Sequence, residues 1–229
     1  MIVLFYIIYR YKKRRGATMS KKDAYVVLDF ETTGLNPIEE RITQIAAIKV
    51  TNSFFKRKKV EKFETLVNPG KEISEFISNM TGITDEMVKD KPSESEAIVQ
   101  LINFIGDSTI VAQNAPFDLG FLYHAALRAK LVPKAYNFFC TRAMTAIIFP
   151  NISHSLVDIV DLFDITLKKA HDALSDAEAT FELFEKTSLI YSNMKINMKN
   201  KLVFHPDKVS IYTPENSILI KPKTKIDKK

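Results

Sequence analysis

The stretch "YVVLDFETTGL", residues 25–35, constrains the fold more than any other part of this chain. Its β-branched and aromatic residues favour a strand, and a strand sends alternate side chains to opposite faces. Val26, Leu28 and Phe30 then share one face, while Tyr25, Val27, Asp29 and Glu31 share the other. The run is apolar enough to be buried, yet its C-terminal end aims two carboxylates the same way. Carboxylates held that close raise each other's pKa unless a cation sits between them. A "DxE" taken alone reads most simply as a solvated strand end; the alternative is an oxygen-ligand site for a hard divalent ion.

The elements that follow indicate the architecture. Residues 41–50 and 60–69 read as two more strands, joined by connections shorter than the roughly dozen residues a parallel crossover needs, so the chain opens with an antiparallel meander. After "NPG" (68–70) the periodicity turns helical through "EISEFISNM" and again over 93–106, where a Ser-rich acidic start and a terminal Gly bracket an apolar stripe. Residues 108–114 form a short apolar strand, and a helix opens at Pro116, a residue suited to the first turn. A strand near 136–141 and helices over 142–149, 155–164 and 172–190 complete the body. The fold class is α/β, a central mixed sheet with helices on both faces.

Charge divides the chain differently. The net +6 conceals an asymmetry: residues 1–22 carry +7 and residues 192–229 carry +6, leaving the body at −7. We therefore expect a basic, non-globular extension (1–22), a single globular domain (23–191) and a Lys-rich tail (192–229) that is mostly disordered or pairs only weakly. An acidic body weakens the case for binding nucleic acid by bulk charge alone. The apolar run "MIVLFYIIY" is shorter than the ~20 residues a bilayer span requires, and its basic residues follow it, unlike those of a secretory signal. No stable membrane insertion is expected; residues 1–18 are expected to be dispensable, with Met19 as the functional start. The single Cys140 excludes an internal disulfide and suits a reducing, cytoplasmic setting.

Two further acidic sites accompany the first. In "AQNAPFDLGFL" (112–122), Asp118 falls in the first turn of a helix that begins just after a strand, near the same end of the sheet. In "KAHDALSDAEATFELFEK" (169–186), Leu174, Ala177, Phe181 and Phe184 recur at helical spacing, which places Asp176 early in the helix and His171 just before it. Each taken singly has an ordinary explanation: a first-turn Asp favours the helix dipole, Asn114 can cap, and a His beside a helix start is usually a surface group.

Together, "LDFETTGL", "QNAPFD" and "HDALSD" resemble, in order and separation, the three motifs of the DEDD family of 3′→5′ exonucleases. The His-x4-Asp spacing is similar to the DEDDh branch; Asp172 stands where the tyrosine branch has Tyr. The likeness covers roughly 24–190 and is greatest to the epsilon-type proofreading exonucleases of bacterial DNA polymerase III. Gln113 and Gln44 depart from the family's frequent His and Glu, outside the five catalytic-type positions.

The resemblance implies an RNase H-like fold and a site in which Asp29, Glu31, Asp118 and Asp176 bind two Mg²⁺ or Mn²⁺ ions while His171 acts as general base, so that a 3′ end loses nucleoside 5′-monophosphates. It further implies that Thr32, Thr33 and Leu35 line the pocket of the terminal nucleotide, with Asn114 and Phe117 beside Asp118. The expected substrate is a single-stranded or frayed DNA 3′ end, and a replicative DNA polymerase catalytic subunit is a candidate partner. A stand-alone exonuclease acting on RNA or short oligonucleotides, and an inactive nucleic-acid-binding module, are the alternatives.

Overall fold

The computed structural model describes residues 24–52, 58–203 and 211–221. The expected extension 1–22 lies outside them, as do parts of the Lys-rich C-terminal segment.

Five strands form the central sheet in the order β3-β2-β1-β4-β5. The opening meander is present: β1 (Tyr25–Thr32) pairs antiparallel with β2 (Ile42–Asn52), which pairs antiparallel with β3 (Lys58–Leu66). On the other side β4 (Thr109–Ala112) lies parallel to β1, and β5 (Phe138–Cys140) parallel to β4. Helices α1 (Glu75–Thr81), α2 (Asp85–Val88) and α3 (Glu94–Ile105) precede β4; α4 (Ala115–Arg128) links β4 to β5; α5 (Thr141–Ile148), α6 (Leu156–Leu162) and α7 (Ala173–Met194) follow. Local chemistry accounts for several boundaries. Ser93 and Glu96 form a reciprocal capping box at the start of α3, and Gly82 ends α1 at φ 80°, a left-handed conformation that glycine adopts without a Cβ penalty.

The alternation read in β1 divides the core as expected. Val26, Leu28 and Phe30 pack with Ala97, Leu101 and Phe121 of α3 and α4. Tyr25 and Val27 pack with Ala173, Ala177 and Phe184 of α7 on the opposite face. Helices on both faces bury every residue of the middle strand except the half-buried Asp29, which is why its sequence is largely apolar in both registers. Cys140 is buried in the first of these clusters.

Beyond α7 the chain returns to the sheet. The backbone N–H of Asn200 donates to the Phe138 carbonyl at 2.7 Å, and its side-chain oxygen accepts from the Phe138 N–H at 2.7 Å. Asn200 thereby satisfies backbone groups on the edge strand β5. Leu202 and Met198 are buried in the two main clusters. Two short strands of this segment pair with each other, β6 (Lys201–Val203) parallel to β7 (Ile218–Ile220). Among the described residues no helix is long and apolar enough to cross a membrane.

Candidate nuclease active site

The acids converge because three elements end at one edge of the sheet. Asp29 and Glu31 continue the α7-facing side of β1, opposite Ala46 and Gln44 of β2. A register shift between Glu31 and Thr32 then turns the chain out of the sheet. Because β4 runs parallel to β1, the helix that follows it begins at this same edge. Asp118 in its first turn is only 3% exposed, and its carboxylate accepts from the Phe30 backbone N–H.

The start of α7 supplies the rest. Asp172 caps the helix by accepting from the Ser175 N–H at 3.0 Å. Gln44 accepts from the Ala173 N–H at 3.1 Å, so β2 holds the helix end in place. His171 adopts φ 58°, uncommon for a residue other than glycine. That turn directs its backbone N–H onto Asp176 Oδ2 at 3.2 Å. Glu31, His171 and Asp176 then present ligand atoms that all lie within 4.8 Å of one another.

The electrostatics carry the signature of crowded carboxylates. Burial, followed by the charges of Asp118, Asp176 and Glu31, pushes Asp29 well above the usual range. Burial also raises Asp118 strongly, against the lowering effect of its backbone hydrogen bonds. Glu31 is pushed up to about 8, first by burial and then by Asp176 and Asp172, with Lys169 opposing. Asp176 rises to about 6 through burial, and the His171 N–H and ring partly offset it. One oxygen of Asp176, Oδ1, is buried and has no hydrogen-bond partner in the protein. Four oxygen-donor side chains, one imidazole and a buried, unpartnered carboxylate oxygen fit a hard divalent cation.

The expected substrate contacts are distributed more loosely. Thr32 donates to the Gly34 carbonyl at 2.7 Å, while the Thr33 hydroxyl donates to Glu40 and accepts from the Arg41 N–H at 3.0 Å. Both threonines are buried in the turn after β1, and their hydroxyls hold that turn. Leu35 projects from it, 78% exposed. A Cβ on Gly34 would lie 3.0 Å from Glu40 Cδ, so the turn packs tightly there. Asn114 is the N-cap residue of α4 but makes no side-chain capping bond, and the half-buried Phe117 ring packs 4.9 Å from that of Phe121.

Three contributors lie outside the five catalytic-type positions. Asp172 and Gln44 seat the helix that carries Asp176, and the Lys169 charge bears on Glu31. Gln113 likewise bridges elements, donating to the His154 carbonyl at 3.0 Å and accepting from Thr141.

Comparison with known proteins bears on the family and the fold. The RNase_T family model, described as "Exonuclease", matches residues 26–184. The "DNA polymerase III PolC-type" of Bacillus subtilis (strain 168) is 38% identical over 168 residues, which is 72% of this chain and 11% of that protein. The chain therefore spans about a ninth of the length of that relative. Escherichia coli exonuclease I in complex with a dT13 oligonucleotide superimposes with a TM-score of 0.66 at 18% identity, covering 76% of this chain and 43% of that one. The zinc ion bound form of the same enzyme's single-stranded DNA complex gives a TM-score of 0.64 at 22% identity, with 76% and 41% covered. These likenesses establish the RNase H-like fold.

Proposed function

The chain belongs to the RNase_T family of exonucleases, and from that membership and the geometry of the acidic edge we propose that it is a metal-dependent 3′→5′ exonuclease acting on DNA 3′ ends. One observation carries the reading: Glu31, His171 and Asp176 offer ligand atoms within 4.8 Å of one another, with Asp29 and Asp118 close enough to add to a mutual repulsion of carboxylates. A hard divalent cation among these oxygens would relieve that repulsion and keep the cluster ionised at neutral pH.

In this proposal Asp29, Glu31, Asp118 and Asp176 hold two Mg²⁺ or Mn²⁺ ions, whose chemistry when bound is to neutralise the cluster, attract the phosphodiester and acidify water. The protein's own part is positional. Asp118 is fixed by burial and by the Phe30 N–H, so its oxygens need little reorganisation on loading. His171 is exposed beside Glu31 and Asp176, where its imidazole takes the proton from the attacking water. The water oxygen bonds to phosphorus, the 3′ oxygen leaves, and the 5′-mononucleotide departs. Thr32, Thr33 and Leu35 shape the terminal-nucleotide pocket from the turn after β1, with Asn114 and Phe117 opposite, while residues 23–191 form the catalytic domain.

The PolC-type relatives carry DNA polymerase in their names, and we extend the proposal to proofreading beside a replicative polymerase catalytic subunit, on single-stranded or frayed 3′ termini. The test is release of mononucleotides from an oligodeoxynucleotide labelled at either end, with Mn²⁺ or Mg²⁺ and with chelator. Loss from the 3′ end only, abolished by Asp29→Ala, is expected. Retention of more than a few per cent activity in that variant would undo the metal assignment, and release from the 5′ end would undo the polarity. Matched RNA run in parallel separates the sugar preference, because the 2′-OH is the chemical difference between the substrates.

A further inference from the structure

Cations are scarce at the acidic edge. Among the described residues, the side-chain charges that bear on Asp29, Glu31, Asp118 and Asp176 are mostly those of one another and of Asp172, opposed only by Lys169 and His171. Lys169 acts on Glu31 and stands two residues before His171 in the loop that enters α7. Backbone bonds fix its place there. The Lys169 N–H donates to Ser175 Oγ at 2.9 Å, and the His171 N–H donates to Asp176 Oδ2, so the loop is bound to the helical turn that carries Asp176.

The side chain crosses from this loop to the end of α1. Its Nζ makes a long bond of 3.5 Å to the Thr81 carbonyl and lies beside Gly82, where an added Cβ would stand 3.4 Å from it. Among the ion pairs of the described residues Lys169 takes no part, whereas its neighbour Lys168 is bonded to Glu178 at 2.7 Å. An ammonium has three donors, and this one places a single long bond on a neutral oxygen. Lys169 is also exposed, and its flexible stem lets the charge move. In a body of net charge −7, such a cation favours the approach of a phosphate that bulk charge opposes. The ligand atoms of Glu31, His171 and Asp176, within 4.8 Å of one another, mark where the scissile phosphate must arrive, and Lys169 is tied to that same turn.

We propose that Lys169 is a substrate-binding residue whose ammonium leaves the Thr81 carbonyl and bonds a non-bridging oxygen of the 5′-phosphate of the terminal nucleotide. The contact is charge-assisted and survives cleavage, because the same phosphate stays on the released mononucleotide. This inference rests on the exonuclease reading, and the experiment separates the two.

Thymidine 5′-monophosphate, thymidine and Mn²⁺ are each titrated calorimetrically into the full chain, the first two with Mn²⁺ present. Lys169→Ala is expected to weaken the monophosphate by ~10-fold, the scale of one hydrogen bond to a charged group, and to leave thymidine and Mn²⁺ unmoved. Lys169→Arg keeps most of the affinity. Lys168→Ala makes the same change in net charge one residue away and binds the monophosphate as the wild type does. On an oligothymidylate, Lys169→Ala raises KM, and its fall of log kcat/KM with log salt is shallower by ~0.7, the loss of one phosphate contact on a single strand. Unchanged monophosphate affinity in Lys169→Ala overturns the inference, and so do equal losses in Lys168→Ala, which reduce the effect to bulk charge. A loss shared by thymidine marks a merely structural role, and one shared by Mn²⁺ assigns the lysine to the metal site; either overturns it as well. In each of these cases a wild type that releases nucleotides leaves the exonuclease reading standing. A wild type that releases none refutes that reading, and this inference with it.

Discussion

Replacing Glu31 with glutamine should stabilise the metal-free protein while destroying its activity. Glu31 is buried among like charges and its carboxyl is pushed from 4.5 up to about 8. A carboxyl raised in the folded state contributes stability that is fully present below its unfolded pKa and is lost as pH rises through the folded one. Between pH 4.5 and 8 the folded protein holds a proton that the unfolded chain has released, so stability declines across that window. At about 1.4 kcal/mol per pH decade, the rise corresponds to a ceiling of about 5 kcal/mol at pH 9. Asp176, raised to about 6, titrates inside the same window and shares the repulsion. Removing one charge is therefore expected to recover roughly half of that ceiling. Urea denaturation in EDTA at pH 5 and pH 9 measures it: the wild type loses stability between the two, whereas Glu31→Gln loses much less. Excess Mg²⁺ should restore the wild type at pH 9 and leave the variant unmoved, because binding to the native state alone stabilises by mass action. Equal pH slopes in EDTA for the two proteins would refute the account of the site as a store of carboxylate repulsion.

Further predictions address catalysis and the supports of the site. His171→Ala should slow nucleotide release by ~10²–10⁴-fold with little change in metal affinity, and a wild-type rate would assign the base elsewhere. Asp172→Ala removes the cap of α7 and should lower the urea-derived stability by about 1 kcal/mol, whereas Asp172→Asn, which keeps a capping oxygen, should lose less; identical losses would rule out the cap as the cause. Arg128 makes two bonds to Glu94, at 2.7 and 2.8 Å, and Glu94 also accepts from the Ile42 N–H at 3.0 Å. Arg128→Met leaves that carboxylate buried without its partner and should cost about 3 kcal/mol at pH 7; a thermal midpoint equal to wild type would show that the bridge contributes nothing.

The supports explain why part of the site was legible in advance and part was not. Local rules place Asp29, Glu31, Asp118, His171 and Asp176 on one strand face, in a first helical turn and beside a helix start, but they could be proposed as a site only because the three motifs that carry them resemble an exonuclease family in order and spacing. The sheet with its opening meander followed from period-two alternation and short connections. Gln44 is different. Its capping of Ala173 joins residues 129 positions apart, through a strand register that no single segment specifies. Arg128 stands in the last turn of α4, and nothing in its own segment names Glu94 and Pro37 as the partners that packing brings to it.

The C-terminal segment marks the division most sharply. Composition described residues 192–229 as a basic tail, because a mean over Lys and Asn says nothing about one asparagine that satisfies both backbone groups of Phe138, or one tyrosine that fits where Gly120 has no side chain. By itself, the sequence determined the periods, the caps and the identity of the acids, all properties of neighbours along the chain. The tertiary structure alone decided that Glu31 of the first acidic motif meets His171 and Asp176 of the third within ligand distance, with Asp118 of the second near enough to raise Asp29, and that the chain folds back over α4. Both outcomes depend on closing long loops against their entropy, which only the packing of the whole core can offset.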